Sequence, residues 1–257
     1  MCGRYATARK RQELLDEFQV TFDATGEDAL EADYNVAPTK PVPAIIERRP
    51  RPEPEASGDG DDEVVRQLRT VRWGLVPSWA KDLSIGSRLI NARVETVHEK
   101  PSFRKAFAQR RCLLPADGYF EWYTSETTGA KPSKQPFFIR PKDGRIMAMA
   151  GLYERWRSPD GEWVWSCTVI TTEASDDLGR IHDRMPMIVP ADRWGAWLDP
   201  ATTRTEQVRD LLVPAMSGTM EAYPVSKAVN DVRNNGAHLV QPLPDGDISG
   251  EYSGTLF

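Results

Sequence analysis

Residues 112–123, CLLPADGYFEWY, decide the fold, because they predict two strands separated by an Asp117-Gly118 turn. The same alternation of apolar and polar residues predicts three further strands, over 137–140, 146–156 and 163–172. Strands outnumber helices and do not alternate with them regularly. This pattern indicates an α+β fold rather than a doubly wound parallel sheet.

The predicted helices are short. A cap at Thr7 begins a helix that runs to about Val20, with Leu14 and Phe18 on one face. Ser102 caps a second, and three more are expected near 174–180, 191–198 and 204–213. With no internal repeat, the sequence predicts one domain over residues 1–242 with peripheral helices.

The net charge of −5 comes from one segment of the chain. The 257 residues carry 33 Lys and Arg against 38 Asp and Glu, and residues 51–64 alone contribute −5. Their Pro, Gly and Ser content predicts a disordered acidic loop inserted into the domain, and 243–257 is expected to be a mobile tail. Without these two segments the remaining residues carry a net charge of +3.

The basic charge is also local. Residues 66–111 hold eleven Lys or Arg against three acidic residues, with Trp73, Trp79, Phe103 and Phe107 interleaved. Cationic and aromatic side chains together suit single-stranded nucleic acid, although an ordinary solvated basic face has the same composition.

Several protein classes are excluded or disfavoured by simple features. No apolar run approaches the ~20 residues that a membrane span needs, so no membrane partner is expected. The first residues show no apolar signal region, and the three cysteines are isolated, which favours a reducing, cytoplasmic location. The histidines lack zinc-site spacing, and neither a P-loop nor GxGxxG is present. We therefore expect no metal, no nucleotide and no other cofactor.

Cys2 is the most informative single residue. Removal of Met1 would leave an α-amine and a thiol on one residue, with ordinary pKa values of ~7.7–8.0 and ~8.5. An aldehyde can condense with the amine, after which the thiol closes a five-membered thiazolidine. The alternative chemistry is amide hydrolysis with the amine as internal base, and a small buried cysteine with no function also fits this position.

Six segments carry a family resemblance. They are MCGRY (1–5), YNVAP (34–38), WGLVP (73–77), NARVET (91–96), ADGYFEW (116–122) and IHDRMP (181–186). In this order and spacing they resemble the SOS response-associated peptidase (SRAP) family, from Cys2 to about Pro242. The resemblance implies a compact domain with a curved, barrel-like antiparallel sheet core. It also implies a basic groove running past the amino terminus.

The resemblance implies a function as well. Family members capture abasic sites in single-stranded DNA, often beside a duplex junction, as a thiazolidine between the amino-terminal cysteine and the ring-opened sugar. The crosslink shields the lesion, and the family name reflects autoproteolytic removal of the initiator methionine. For this chain we expect a monomer that associates with the nucleoid when DNA is damaged.

Residue roles follow from the same resemblance. Cys2 is the expected nucleophile, Glu121 the general acid and base, His182 the partner in sugar-ring opening, and Asn91 a neutral orienting group. The expected DNA contacts are Arg4, Asn35, Trp73, Pro77, Trp79, Arg93, Thr171, Arg184 and Pro186.

Two other functions stay open on the residues alone. An amino-terminal-nucleophile amidotransferase also begins Met-Cys-Gly, but its glutamine-holding motifs are not recognisable here. A noncatalytic single-strand binding module would keep its function without Cys2 and lose it without Arg93.

Overall fold

The computed structural model describes residues 2–26, 30–48, 64–124, 134–174, 178–214 and 218–244. Almost all of the predicted acidic loop 51–64 and of the predicted tail 243–257 lies outside these ranges. Within them, no helix is both long enough and apolar enough to cross a membrane.

Thirteen strands are distributed over the described part of the chain. They are β1 (Tyr5–Thr7), β2 (Phe22–Asp23), β3 (Asp33–Val36), β4 (Pro41–Arg48), β5 (Val65–Trp73), β6 (Asn91–Arg93), β7 (Arg111–Ala116), β8 (Gly118–Thr124), β9 (Lys134–Pro141), β10 (Met147–Arg157), β11 (Trp163–Glu173), β12 (Arg184–Pro186) and β13 (Met220–Pro224). The helices are α1 (Arg11–Glu17), α2 (Arg104–Gln109), α3 (Leu178–Ile181), α4 (Trp194–Leu198) and α5 (Thr205–Asp210). Short 3₁₀ helices cover Leu83–Arg88, Ala191–Arg193, Lys227–Asn230 and Ala237–Val240.

The strands form two sheets, and one of them closes. The first sheet has the order β13-β9-β8-β1-β3. The second runs β12-β11-β10-β7-β4-β5-β2, with β6 beside β11, and a further parallel pairing of β11 with β5 closes five of these strands into a barrel. The predicted α+β class and the barrel-like sheet are confirmed. The sheet is not wholly antiparallel, because β5 and β6 both run parallel to β11.

The decisive stretch 112–123 does form two strands, but they do not pair with each other. β7 pairs with β10 and β4 in the barrel, whereas β8 pairs with β1 and β9 in the other sheet. Asp117 joins them, and its carboxylate accepts hydrogen bonds from the Ala8 amide and the Arg9 guanidinium at 2.6 and 2.7 Å. The turn is therefore a crossing point between two sheets instead of a hairpin.

Alternate residues of the barrel strands face two different cores. One core combines residues such as Ile46, Cys112 and Cys167 with the first sheet. The other combines Ile45 and Leu113 with the apolar faces of helices α1, α2, α4 and α5. Because the helices can only lie outside a five-stranded barrel, the first set faces its interior.

The first predicted helix is shorter than expected. Thr7 lies in β1, and α1 begins only at Arg11, after Lys10, whose backbone amide donates a hydrogen bond to the Glu13 carboxylate at 2.8 Å. Tertiary pairing of residues 5–7 between β3 and β8 outweighs the local capping preference of a threonine.

Candidate functional site

Asn91 contacts the amino-terminal cysteine directly. The residue begins β6, which pairs with β11 so that Asn91 lies opposite Val169. Its side-chain nitrogen Nδ2 donates to the carbonyl oxygen of Cys2 at 2.8 Å. The Oδ1 atom is buried and has no hydrogen-bond partner among the described residues. A buried acceptor without a partner costs free energy, so this oxygen is available to a bound group.

Cys2 itself is fully buried in the interior core. Burial raises the pKa of its thiol above the ordinary range, and the negative charge of Glu121 adds to the effect. The thiol is therefore neutral at pH 7 in the chain that carries Met1. The influence of Glu121 also means that this carboxyl lies within electrostatic range of the sulfur.

Glu121 lies in the middle of β8, opposite Phe137 of β9, and is only 3% exposed. Burial raises the pKa of its carboxyl to about 8. At pH 7 the group is therefore mostly protonated and can act as a proton donor.

Two tyrosines that the sequence reasoning missed share this environment. Tyr119 and Glu121 are two residues apart in β8 and so point to the same face. The hydroxyls of Tyr5 and Tyr119 are buried with no hydrogen-bond partner within the described ranges. Burial raises the pKa of each, and the charge of Cys2 contributes in both cases. The two-residue spacing of Tyr119 and Glu121 was the available signal.

His182 follows α3, which packs against β8. Its Nδ1 accepts a hydrogen bond from the Arg184 amide at 3.0 Å, and an Asp183 carboxylate oxygen lies 2.8 Å from the same nitrogen. Burial lowers the pKa of the imidazole, so the neutral ring prevails at pH 7. Protonation would turn Nδ1 into a donor toward Asp183.

Several residues predicted to contact DNA are buried within the scaffold. Arg184 is 8% exposed. Its guanidinium donates hydrogen bonds to the Glu95 carboxylate at 2.7 and 3.1 Å and to the Thr171 carbonyl at 2.7 Å. This hydrogen bonding lowers the pKa of Glu95. Thr171 and Pro186 are buried and are opposite each other in the β11–β12 pair. The expectation that these residues line an open groove is corrected, since their side chains are buried and hold neighbouring strands together.

Arg4 and Asn35 also make internal contacts. A terminal nitrogen of Arg4 donates to Asn35 Oδ1 at 2.6 Å and to the Val229 carbonyl at 2.8 Å. Asn35 is fully buried, and its Nδ2 donates to three backbone carbonyls, including that of Asn234 at 2.9 Å. Asn35 therefore holds the 229–234 segment and is not accessible to DNA in this conformation, while Arg4 remains half-buried.

The predicted DNA contacts Trp73, Pro77 and Trp79 differ in exposure. Trp73 is fully buried, with its indole nitrogen donating to the Ile90 carbonyl at 3.0 Å and its ring edge-on to Tyr5. Pro77 is buried as well. The DNA contact expected of Trp73 is therefore corrected, because its side chain packs in the core. Trp79 is 57% exposed and remains open to a base.

A close approach of two glycines fixes the loop that carries Trp79. Gly74 has φ of +121°, and a Cβ atom there would lie 2.6 Å from the carbonyl oxygen of Gly86. The Gly74 amide also donates to the Cys167 carbonyl at 2.8 Å. Only glycine tolerates both the positive φ and the close approach to Gly86. The direction in which the loop leaves the barrel is therefore fixed.

Arg93 is exposed and lies in the same strand as Asn91. It is the last residue of β6, opposite Thr171 of β11, and two residues from Asn91. Among the described residues, no group of three or more His, Cys, Asp or Glu side chains is arranged to hold a metal.

The site therefore brings Cys2 and Asn91 into contact, with Glu121 in electrostatic range. His182 lies on the helix end that packs on the same strand as Glu121. A buried proton donor beside an aminothiol precursor suits carbonyl condensation, in which water must leave. Among the predicted DNA contacts, Arg93 and Trp79 have exposed side chains.

The chain is similar to several known proteins along most of its length. The "Abasic site processing protein YoaM" of Bacillus subtilis is 39% identical over 93% of this chain and 97% of its own length. The mouse "Abasic site processing protein HMCES" is 32% identical over 81% of this chain and 64% of its own length. A crystal structure of a protein from Bacteroides thetaiotaomicron superposes with a TM-score of 0.75 at 27% identity. It covers 95% of this chain and all of that one.

The family model described as "SOS response associated peptidase (SRAP)" matches residues 1–232, which include every candidate residue discussed above. The chain belongs to the SOS response associated peptidase (SRAP) family.

Proposed function

We propose that the protein processes abasic sites in single-stranded DNA by forming a thiazolidine through Cys2 once Met1 has been removed. The observation that carries the proposal is the contact of Asn91 Nδ2 with the Cys2 carbonyl at 2.8 Å, beside a buried carboxyl with a pKa of about 8. The names of the relatives support abasic sites as the substrate class.

Met1 removal comes first because the Cys2 nitrogen is an amide while Met1 is attached. Hydrolysis of the Met1–Cys2 bond consumes one water and yields methionine and a free α-amine. We propose that the protein performs this step itself, with the Cys2 thiol attacking the preceding carbonyl and a nearby carboxyl shuttling protons.

The condensation then proceeds in two steps. The Cys2 amine adds to the aldehyde carbon of the ring-opened deoxyribose, and the resulting carbinolamine loses water as Glu121 donates a proton to the departing hydroxyl. The Cys2 sulfur adds to the imine carbon and its proton passes to the nitrogen. In total, one carbon–nitrogen and one carbon–sulfur bond form and one water is released.

The surrounding residues orient Cys2, transfer protons and contact the DNA. Asn91 holds the Cys2 backbone without adding charge, and its free Oδ1 is an acceptor for the sugar or the amine. Neutral His182 can take or give a proton during opening of the sugar ring. Arg93 offers a fork for a flanking phosphate, and Trp79 offers a stacking surface for a neighbouring base.

The test is crosslinking to an oligonucleotide that carries one abasic site, read on a denaturing gel. The native protein is expected to form a stable adduct, and Cys2→Ala is expected to form none. Cys167→Ala is the matched control, because an internal cysteine has no α-amine and its loss leaves the aminothiol intact. Crosslinking by Cys2→Ala would overturn the proposal, and Cys2-dependent release of ammonia from glutamine would favour the amidotransferase alternative.

A further inference from the structure

A cluster of arginines and tryptophans lies at the opposite end of β11 from the candidate site. Trp163 and Trp165 begin this strand, whereas the residues that pair with β6 start at Val169. Val169 lies six residue steps along the strand from Trp163, which corresponds to roughly 20 Å. The cluster is thus a separate surface from the one around Cys2.

The register of the β10–β11 pair builds this cluster. Arg155 lies opposite Trp165, and Arg157 lies opposite Trp163. Their guanidinium carbons lie 4.9 and 5.8 Å from the Trp163 ring centre, and that of Arg155 also lies 5.3 Å from Trp165. From β5, Arg69 stacks on Trp165 at 4.3 Å.

The cluster extends the interior face of the barrel to its open end. Residues two apart on a strand share a face, so Trp163 and Trp165 continue the face of Cys167. Tyr153 stacks on Trp165 with ring centres 5.6 Å apart. Trp165 is partly buried by this packing, but Trp163 remains 54% exposed.

Three arginines of this cluster lack a carboxylate partner in the part of the chain that the structure describes. Within the described ranges, Arg69, Arg155 and Arg157 form no ion pair. The guanidinium of Arg69 donates to Gln67 Oε1 at 3.0 Å and that of Arg157 to the Gly161 carbonyl at 3.1 Å, both neutral oxygens. Burial and the neighbouring charges of Arg48 and Arg155 lower the pKa of Arg69, which shows how closely the guanidiniums crowd one another. Such crowding favours binding of an anion.

We propose that this surface, formed by Arg69, Arg155, Arg157 and Trp163, binds intact single-stranded nucleic acid separately from the Cys2 site. The arginines contact phosphates, and a base stacks on the exposed face of Trp163. An exposed indole flanked by stacked guanidiniums supplies both interactions that single strands require, whereas a carboxylate-bearing peptide would use only the charge.

The proposal is independent of the lesion chemistry and is tested on strands without any abasic site. The double variant Arg155→Ala/Arg157→Ala is expected to weaken binding of an intact oligonucleotide of about 20 nucleotides. The slope of log K against log salt should fall by about 1.4, since each lost phosphate contact removes about 0.7. Trp163→Ala should weaken binding roughly tenfold with little change in that slope.

Arg145→Ala is the matched control, because its side chain is 79% exposed on a different part of the surface and should leave both quantities unchanged. Each variant is also tested for crosslinking of a short abasic oligonucleotide at saturating concentration, which should stay at the native level. If crosslinking persists and intact-strand affinity is also unchanged in both cluster variants, the second surface does not exist while the proposed function stands. Equal competition by a poly-glutamate peptide of matched charge would likewise overturn the assignment to nucleic acid.

Discussion

Replacing Glu121 with glutamine should make the protein more stable and less active. Burial gives this carboxyl a pKa of about 8 in the folded chain against 4.5 as its ordinary value. The folded state therefore holds a proton that the unfolded state releases between pH 4.5 and pH 8. Stability contributed by this group is complete below pH 4.5 and is lost as pH rises toward 8.

The size of this effect follows from the two pKa values. At pH 7 the carboxyl destabilises the native chain by about 3 kcal/mol relative to a group that does not titrate, and at pH 5 by about 1 kcal/mol. Glutamine has nearly the same shape and no charge. The stability of Glu121→Gln relative to the native chain should therefore rise by about 2.5 kcal/mol between pH 5 and pH 7.

Urea unfolding at the two pH values measures this difference directly. Glu221→Gln serves as a control, because it removes a carboxylate from a surface ion pair with Arg140 and should show no comparable increase. The same Glu121→Gln protein should crosslink abasic DNA at least about 100-fold more slowly, since glutamine cannot donate a proton to the departing hydroxyl. A relative stability that does not change with pH would refute the idea that burial keeps this carboxyl protonated.

Other substitutions test the scaffold and the orienting group. Gly74→Ala should lower the free energy of unfolding by about 2–3 kcal/mol, measured in urea, because it combines strained backbone with a clash against Gly86; Ala at an open glycine such as Gly144, where no atom lies within 4 Å, should cost less. Asn91→Ala should cost only about 1 kcal/mol of stability but slow crosslinking at least tenfold, and normal crosslinking would exclude an orienting role. Arg111→Met should destabilise by about 3 kcal/mol in thermal or urea unfolding, because its buried guanidinium donates to four backbone carbonyls; an unchanged stability would contradict that bracing role.

The strands were largely predictable from the sequence. The patterns at 137–140, 146–156 and 163–172 correspond to β9, β10 and β11, because long alternating apolar segments carry a strong local signal. The separation of β7 from β8 was not predictable, since an Asp-Gly turn has the same residues in a hairpin and in a crossing between sheets. The parallel closure of the barrel by β5 and β11 depends on contacts far apart in the chain, which local periodicity does not contain.

The candidate site was predictable only in part, for a related reason. Motifs identify residues that matter but not the surface on which each one lies. Asn35 and Arg184 belong to the motifs and are buried, where they hold strands and loops together. Tyr119 went unnoticed because a tyrosine in a strand is usually a core residue. Only the structure shows that its hydroxyl is buried near Cys2 and has no hydrogen-bond partner among the described residues.

The most direct test of the central claim is the intact mass of the product formed with an abasic oligonucleotide. We expect the mass of the Met1-free chain plus that of the ring-opened oligonucleotide, less one water, and peptide mapping should locate the linkage at Cys2. An adduct that retains Met1, or that maps to an internal residue, would contradict the aminothiol mechanism.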